Sequence, residues 1–439
     1  MKRVLALIIV LIFSVSLFTA CGTTPPAATV DKAETPEQAA NSAADGKPVT
    51  VTVLHHMSEQ TKKDGVAALI DGFKKNNPNV TFDNQYISQD NFASTLKMKV
   101  AAGDAPDVFM GRPALFTEMV KAGQALDLTD QAFTKNFQDN AFPSITIDSK
   151  IYGVPLDLGG LGMYFNLDVL KSAGLEVPRT WTEFIKACDT LKAKGITPIS
   201  AMYKDAWTLS VNYESNILGN IVKKYPDYRK ELMDRTKKFS DIPELRTTVE
   251  HFSKIFDYVG NDPFSIDYNT GLSNFATGKC AFLGTGSWAI GDIRKNNPQG
   301  NFQFGIYPML DNEADQALPN YVDDCFMFSS QSKVKDTVVK FAGYLSTPEA
   351  GAIWSKTALQ LSAIKDVKPG EVDPMLQNFI DIAASGKVIG FEKTANFTGQ
   401  YIDTFDRKFQ SFAASKDKDV TKMLADLDKD FDKIKATSK

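Results

Sequence analysis

From Pro48 onward the apolar positions switch repeatedly between a period near two and a period near 3.6. VTVTVLHH (49–56) reads as a buried strand, 64–76 as an amphipathic helix, VTFDNQY (80–86) as a strand, 91–102 as a helix and DVFM (107–110) as a third short strand. Strands separated by ten or more helical residues predict crossover units and a mostly parallel sheet flanked by helices. In such sheets a ligand sits beyond the carboxyl ends of the strands, so 55–59, 88–91 and 111–113 are the segments of interest.

The pattern then changes. YGVPLDLGGLGMYFN (152–166) sets glycines and a proline among apolar residues, as a strand passing between two lobes would. Thr180 with Glu183 predicts a capping box after Pro178. The stretch 209–260 reads as largely helical, TGKCAFLGTGSW as a strand between two glycine turns, and YVDDCFMFSS as one further strand. Helices are predicted over 334–346, from the cap Thr347 with Pro348, and over 420–434, where Met423, Leu424, Leu427, Phe431 and Ile434 share a face.

The N-terminus follows other rules. Lys2 and Arg3 precede 17 almost wholly apolar residues, and Phe18-Thr19-Ala20-Cys21 resembles a lipobox, with Phe in place of the usual Leu. Residues 1–20 are therefore expected to be a lipoprotein signal, and Cys21 the acylated residue, palmitate among its chains. Two or more chains, at about 0.8 kcal/mol per buried CH₂, anchor a protein stably. Residues 21–47, rich in Ala, Thr and Pro without apolar periodicity, predict a flexible tether reaching roughly 25 to 30 Å.

Composition narrows the classes. The remaining ~390 residues exceed the usual single core and call for two lobes. With 43% hydrophobic residues, 23% charged residues and a net charge of −4, the chain lacks the basic excess of a nucleic-acid binder. Cys188, Cys280 and Cys325 form no disulfide framework. Cys280 and Cys325 could pair if adjacent, although buried thiols are the simpler expectation. His55 and His56 point to opposite faces of a strand and His251 stands alone, so no zinc-type spacing exists, and no cofactor is implied.

Five segments together resemble the extracellular sugar-binding proteins of ABC importers, the group that includes maltose-binding protein. They are VAAGDAPDVFMG (100–111), IYGVPLDLGGLGMYFNLDVLKSAG (151–174), VPRTWTEFIKACDTLKAKGITPI (177–199), NFATGKCAFLGTGSW (274–288) and VVKFAGYLSTPEAGAIW (338–354). The resemblance implies a two-lobe α/β fold, with lobe 1 at 48–155 plus 321–330 and lobe 2 at 156–320 plus 331–439. It implies ligand in the cleft, a hinge at the crossings, and delivery to a membrane permease by a monomeric receptor on the outer face of the cytoplasmic membrane.

A sugar needs an aromatic surface against its ring and short polar groups at its rim. Trp288, after the turn GTGS, matches the place of the family's stacking tryptophan, and Trp207 that of a second platform; either could instead cover a core. Asp157 lies near the family's acidic contact, or is a hinge carboxylate bonded to backbone. Arg112, two residues after the third strand, is placed to fork onto vicinal hydroxyls or else to sit on the surface. Asp323 and Asp324 alternate in a strand, so one should face the cleft. His56 ends the first strand. Tyr401 and Asp403 fall where related chains bring a C-terminal helix to the cleft. Trp181 and Trp354 read as structural, and Asp107 as a residue that fixes backbone.

The leading expectation is a carbohydrate receptor, the ligand an oligosaccharide. A lipid-anchored glycoside hydrolase would need two carboxylates flanking the bond, about 5 to 9.5 Å apart, and no motif places such a pair. The same fold could instead hold a polyamine or a metal, using Asp157, Asp323 and Trp288.

Overall fold

The chain crosses between two mixed sheets at three places in the computed structural model, which describes residues 47–437 except 206, 210, 213–220, 223, 369, 371, 391–396 and 398–399. The first sheet runs Val80–Tyr86, Val49–His55, Val108–Met110, Cys325–Phe328, Gly153–Pro155 in spatial order. Its first three strands are parallel, because the helices Gln60–Asn76 and Gln89–Ala101 carry the chain back between them. Cys325–Phe328 enters antiparallel to both neighbours. The Gln60–Asn76 helix starts earlier than its apolar period suggests, since Lys62 joins Val66, Leu69, Ile70 and Phe73 on the buried face.

The second sheet is organised around Asp157–Asn166, all ten residues of which are buried. This strand pairs antiparallel with Leu318–Val322, Cys280–Gly286, Phe302–Gly305 and Leu361–Ser362. Its glycines serve close approach. A Cβ on Gly160 would stand 2.4 Å from Leu318 Cδ2, and one on Gly162 2.3 Å from the Gly305 carbonyl oxygen. The sequence suggests Gly159, Gly160 and Gly162 as a permissive crossing; instead they lie within the packed strand, and the chain crosses at Leu156.

Each sheet has its own core. Residues 335–358, expected in lobe 2, pack on the first core. Phe341 lies 5.1 Å from Phe73 and 5.0 Å from Phe82, and a Cβ on Gly65 would come within 2.9 Å of the Trp354 ring. The apolar faces of these two helices have their matching surface on the Gln60–Asn76 helix, and a buried Phe contributes about 1.5 to 3 kcal/mol, which decides their side. The stretch 321–330, expected as one strand of lobe 1, is divided: Leu318–Val322 belongs to the second sheet, Cys325–Phe328 to the first, and Asp323–Asp324 form the crossing between them. A third passage brings Leu361 and Ser362 beside Leu158 and Asp157 before Ala363 and Ile364 return to the first core.

Cys188, Cys280 and Cys325 are free and buried, with Cys280 and Cys325 in different sheets. Among the described residues no helix is long and apolar enough to cross a membrane. The expected signal, Cys21 and all of the tether but Lys47 lie outside the described residues.

Candidate functional site

Where the ends of the first sheet's strands face the second lobe, a cavity of about 240 Å³ opens, lined from both sides and floored by the Asp323–Asp324 crossing. The first lobe supplies the turn after Val49–His55, with His56 and Glu59, then Lys62 from the following helix, Gln89, and Gly111 and Arg112 after the third strand. The second supplies Leu161, Trp207, Val211, Trp288 and Tyr321.

The aromatic wall is built by glycine. Trp288 folds back over the end of Cys280–Gly286, and a Cβ on Gly286 would stand 1.9 Å from its ring. Only 6% of Trp288 is exposed, and it belongs to the second core as well as the cavity wall. Its Nε1 has no hydrogen-bond partner among the described residues. Trp207, half-buried, lies 6.2 Å from Trp288 and 5.1 Å from Tyr268. Across from them His56 sets its ring edge against Phe92 at 4.8 Å, and burial together with the Lys62 charge pulls its imidazole down to about 4. Arg112 lies over the Tyr321 ring, 5.0 Å from its centroid, and donates to the Val322 carbonyl at 3.2 Å.

The floor is an ionic cluster at the hinge. Lys62 Nζ stands 2.8 Å from Asp323 Oδ2 and 2.6 Å from Asp324 Oδ2. Burial opposes its charge, but Asp323, Asp324, Asp157 and Glu59 outweigh that and hold the ammonium well above its ordinary pKa. Asp157, fully buried, accepts from the Asp324 backbone N–H and from Trp354 Nε1, both at 2.9 Å. Burial and then the nearby Asp324 push its carboxyl well above the usual range. Burial raises Asp324 and Glu59 as well. One helix-borne lysine thus holds the Asp323–Asp324 crossing, which the Asp324 backbone N–H in turn joins to Asp157 at the neighbouring crossing. The expected alternation of Asp323 and Asp324 does not hold, because the strand is interrupted there and both side chains turn to Lys62.

Oxygens of Asp157, Asp323 and Asp324 lie within 4.8 Å of one another, a spacing a metal ion would accept. The chemistry of the set does not fit one, because Lys62 already fills the cation's place and would repel another.

His56, Arg112, Trp207, Trp288, Asp323 and Asp324 are therefore gathered in one cavity. Asp157 sits behind its floor. Tyr401 and Asp403 are elsewhere: Tyr401 donates to the Met233 carbonyl and packs on Phe431, and Asp403 faces solvent. Their helix, Gln400–Ala414, spends its apolar face on the second core through Phe405, Phe409 and Phe412. Trp181 stacks on His251 at 4.0 Å, and Asp107 bonds Thr52 and Ser332. Glu59 and Gln89 fall in the segments 55–59 and 88–91 that the sequence marks, although neither is singled out there, whereas Lys62 and Tyr321 escape the sequence reading. For Lys62 a signal exists, a lysine in phase with Val66, Leu69 and Phe73 on an apolar helical stripe.

A family model for bacterial extracellular solute-binding proteins matches residues 58–352. The chain is 24% identical over 347 residues to the multiple sugar-binding protein of Streptococcus mutans, a match spanning 76% of this chain and 80% of that one. It is 24% identical over 280 residues to the melibiose/raffinose/stachyose-binding protein of Bacillus subtilis, spanning 62% and 63%. It is 25% identical over 298 residues to the sn-glycerol-3-phosphate-binding periplasmic protein of Brucella melitensis, spanning 61% and 64%. These last two matches cover less than two thirds of the relatives' length. Among solved structures, a chitin oligosaccharide binding protein superposes with a TM-score of 0.75 at 24% identity, over 89% of this chain and 99% of that one. A raffinose-bound solute-binding protein does so with 0.74 at 24%, over 88% and 100%. At such identity the structural likeness carries the two-lobe fold and no ligand.

Proposed function

The chain belongs to the family of bacterial extracellular solute-binding proteins, and we propose that its solute is a carbohydrate, captured between the lobes and delivered to an ABC permease. The observation that carries this is the composition of one cavity: the indoles of Trp207 and Trp288 on one side, and Arg112, Gln89, Glu59 and His56 on the other. Indole faces suit the CH surface of a pyranose, and the polar groups suit its hydroxyl rim. The names of the sugar-binding relatives agree with it. At about 240 Å³ the cavity is smaller than the roughly 300 to 1,000 Å³ of drug-sized sites, so an oligosaccharide enters with the lobes parted, or extends outside. Contacts from both lobes favour the closed form, and a permease reads that form by shape.

The arrangement supports a receptor over a glycoside hydrolase. A hydrolase needs carboxylates on opposite sides of the bond, about 5 to 9.5 Å apart, whereas Asp157, Asp323 and Asp324 cluster on one floor around Lys62, and the matching family is one of solute-binding proteins. In this reading the receptor is a monomer, acylated on Cys21 and held on the outer face of the membrane by its tether.

A thermal-shift and calorimetry panel of oligosaccharides, glycerol 3-phosphate and spermidine tests the assignment. A ligand at 100 times its Kd adds about 2.7 kcal/mol of stability, a readily measured shift. Stabilisation by an oligosaccharide, with a smaller radius of gyration in scattering, is the expected result. Stabilisation by glycerol 3-phosphate or spermidine alone, or release of reducing sugar from the oligosaccharides, overturns it.

A further inference from the structure

The charges that border the cleft are completed by one another. Lys62 is paired with Asp323 and Asp324, all three side chains reaching the cavity, and Lys62 and Asp324 are almost wholly buried. Arg112 donates one N–H to the Val322 carbonyl and lies over the Tyr321 ring. Burial moves Asp324 and Glu59 up and His56 down to about 4, and the Lys62 charge opposes the rise at the two carboxyls. Behind the floor, Asp157 is turned to Trp354 and the Asp324 backbone, and burial moves it the same way as Glu59. At the floor Lys62 thus meets both Asp323 and Asp324 directly, so that its cation and their carboxyls already answer one another before any ligand enters.

We propose that Lys62 and Asp323 determine specificity by charge balance, so that the cleft admits neutral sugars and rejects acidic, phosphorylated and amine-bearing ones. The inference rests on the carbohydrate reading above and narrows it. A hydroxyl can donate to a carboxylate already paired with Lys62 without changing the charge count. A charged ligand must break the Lys62 pair or remain uncompensated in a space withdrawn from water, which is costly either way. Lys62 acts here through the carboxylates it neutralises, so its removal should change the sign of the accepted ligand as well as its affinity.

The test uses the purified protein with raffinose, maltotriose and xylotriose as neutral probes. The glucosamine trimer and spermidine serve as cations, and the galacturonic acid trimer and glycerol 3-phosphate as anions. The wild type should bind at least one neutral probe and no charged one. Lys62→Met should gain about tenfold or more for a cation, and Asp323→Asn a comparable gain for an anion, each losing affinity for the neutral sugar. If Lys62→Met does not fold, the nearly isosteric Asp323→Asn decides alone, because its predicted shift has the opposite sign. A wild type that binds no sugar of any charge removes the carbohydrate reading and this inference with it. A wild type that binds charged and neutral sugars alike, or variants whose charge preference is unchanged, overturns the charge balance and leaves the carbohydrate reading standing.

Discussion

Replacing Asp157 tests whether the hinge is held by a buried carboxyl that keeps its proton. The side chain is wholly buried, accepts two hydrogen bonds of 2.9 Å, from the Asp324 backbone N–H and Trp354 Nε1, and sits where the first sheet passes to the second. Asp157→Ala strands both donors. At about 1 to 3 kcal/mol for each buried unsatisfied group, the expected loss is about 2 to 6 kcal/mol. Asp157→Asn keeps the volume and one acceptor and should cost about half as much. The pH dependence carries the sharper test. Burial raises the native pKa of Asp157 above its unfolded value, near 3.9, so the native state holds this proton more tightly than the unfolded chain. Its stabilising effect is fully present below the unfolded value and is lost as pH rises through the native one. Asn cannot titrate, whereas Lys62, Glu59 and Asp324 are present in both proteins. Urea unfolding of wild type and Asp157→Asn from pH 4.5 upward, an interval set about half a unit above that unfolded value, should therefore show a gap that narrows as pH rises. A gap that stays constant or widens refutes the protonated hinge carboxyl.

Trp288→Ala should lower both stability and sugar affinity, because the indole is core and wall at once; truncating a buried Trp costs about 3 to 5 kcal/mol, read by denaturation beside calorimetry, and an unchanged affinity would remove Trp288 from the site. Gly162→Ala should destabilise by about 1 to 3 kcal/mol, since its Cβ would meet the Gly305 carbonyl oxygen, while ligand-induced compaction in scattering persists; loss of compaction without loss of stability would restore these glycines as hinge elements. Cys21→Ser should abolish lipid labelling and detergent partitioning, and unchanged labelling would dispose of the anchor.

Local rules made much of this protein legible. The first strands and helices, the Thr347 cap that accepts from Ala350 and the apolar face of the last helix all depend on neighbours within a few residues or on period alone. The aromatic candidate Trp288 was legible for a similar reason, since it closely follows a strand, Cys280–Gly286, and so stands at the sheet's end. The allotment of segments to lobes was not. The helices over 335–358 would suit either core by pattern, and only the complementary surface offered by Phe73, Phe82 and Gly65 assigns them to the first. The break of one apparent strand at Asp323–Asp324 was equally hidden, because it depends on Lys62, 261 residues away, offering a buried cation to both carboxylates. The sequence by itself determined which segments form strands and helices and which side chains have the chemistry to meet a sugar. Only the tertiary structure decided which of them share the cleft, because burial and charge pairing are sums over residues that the chain keeps far apart.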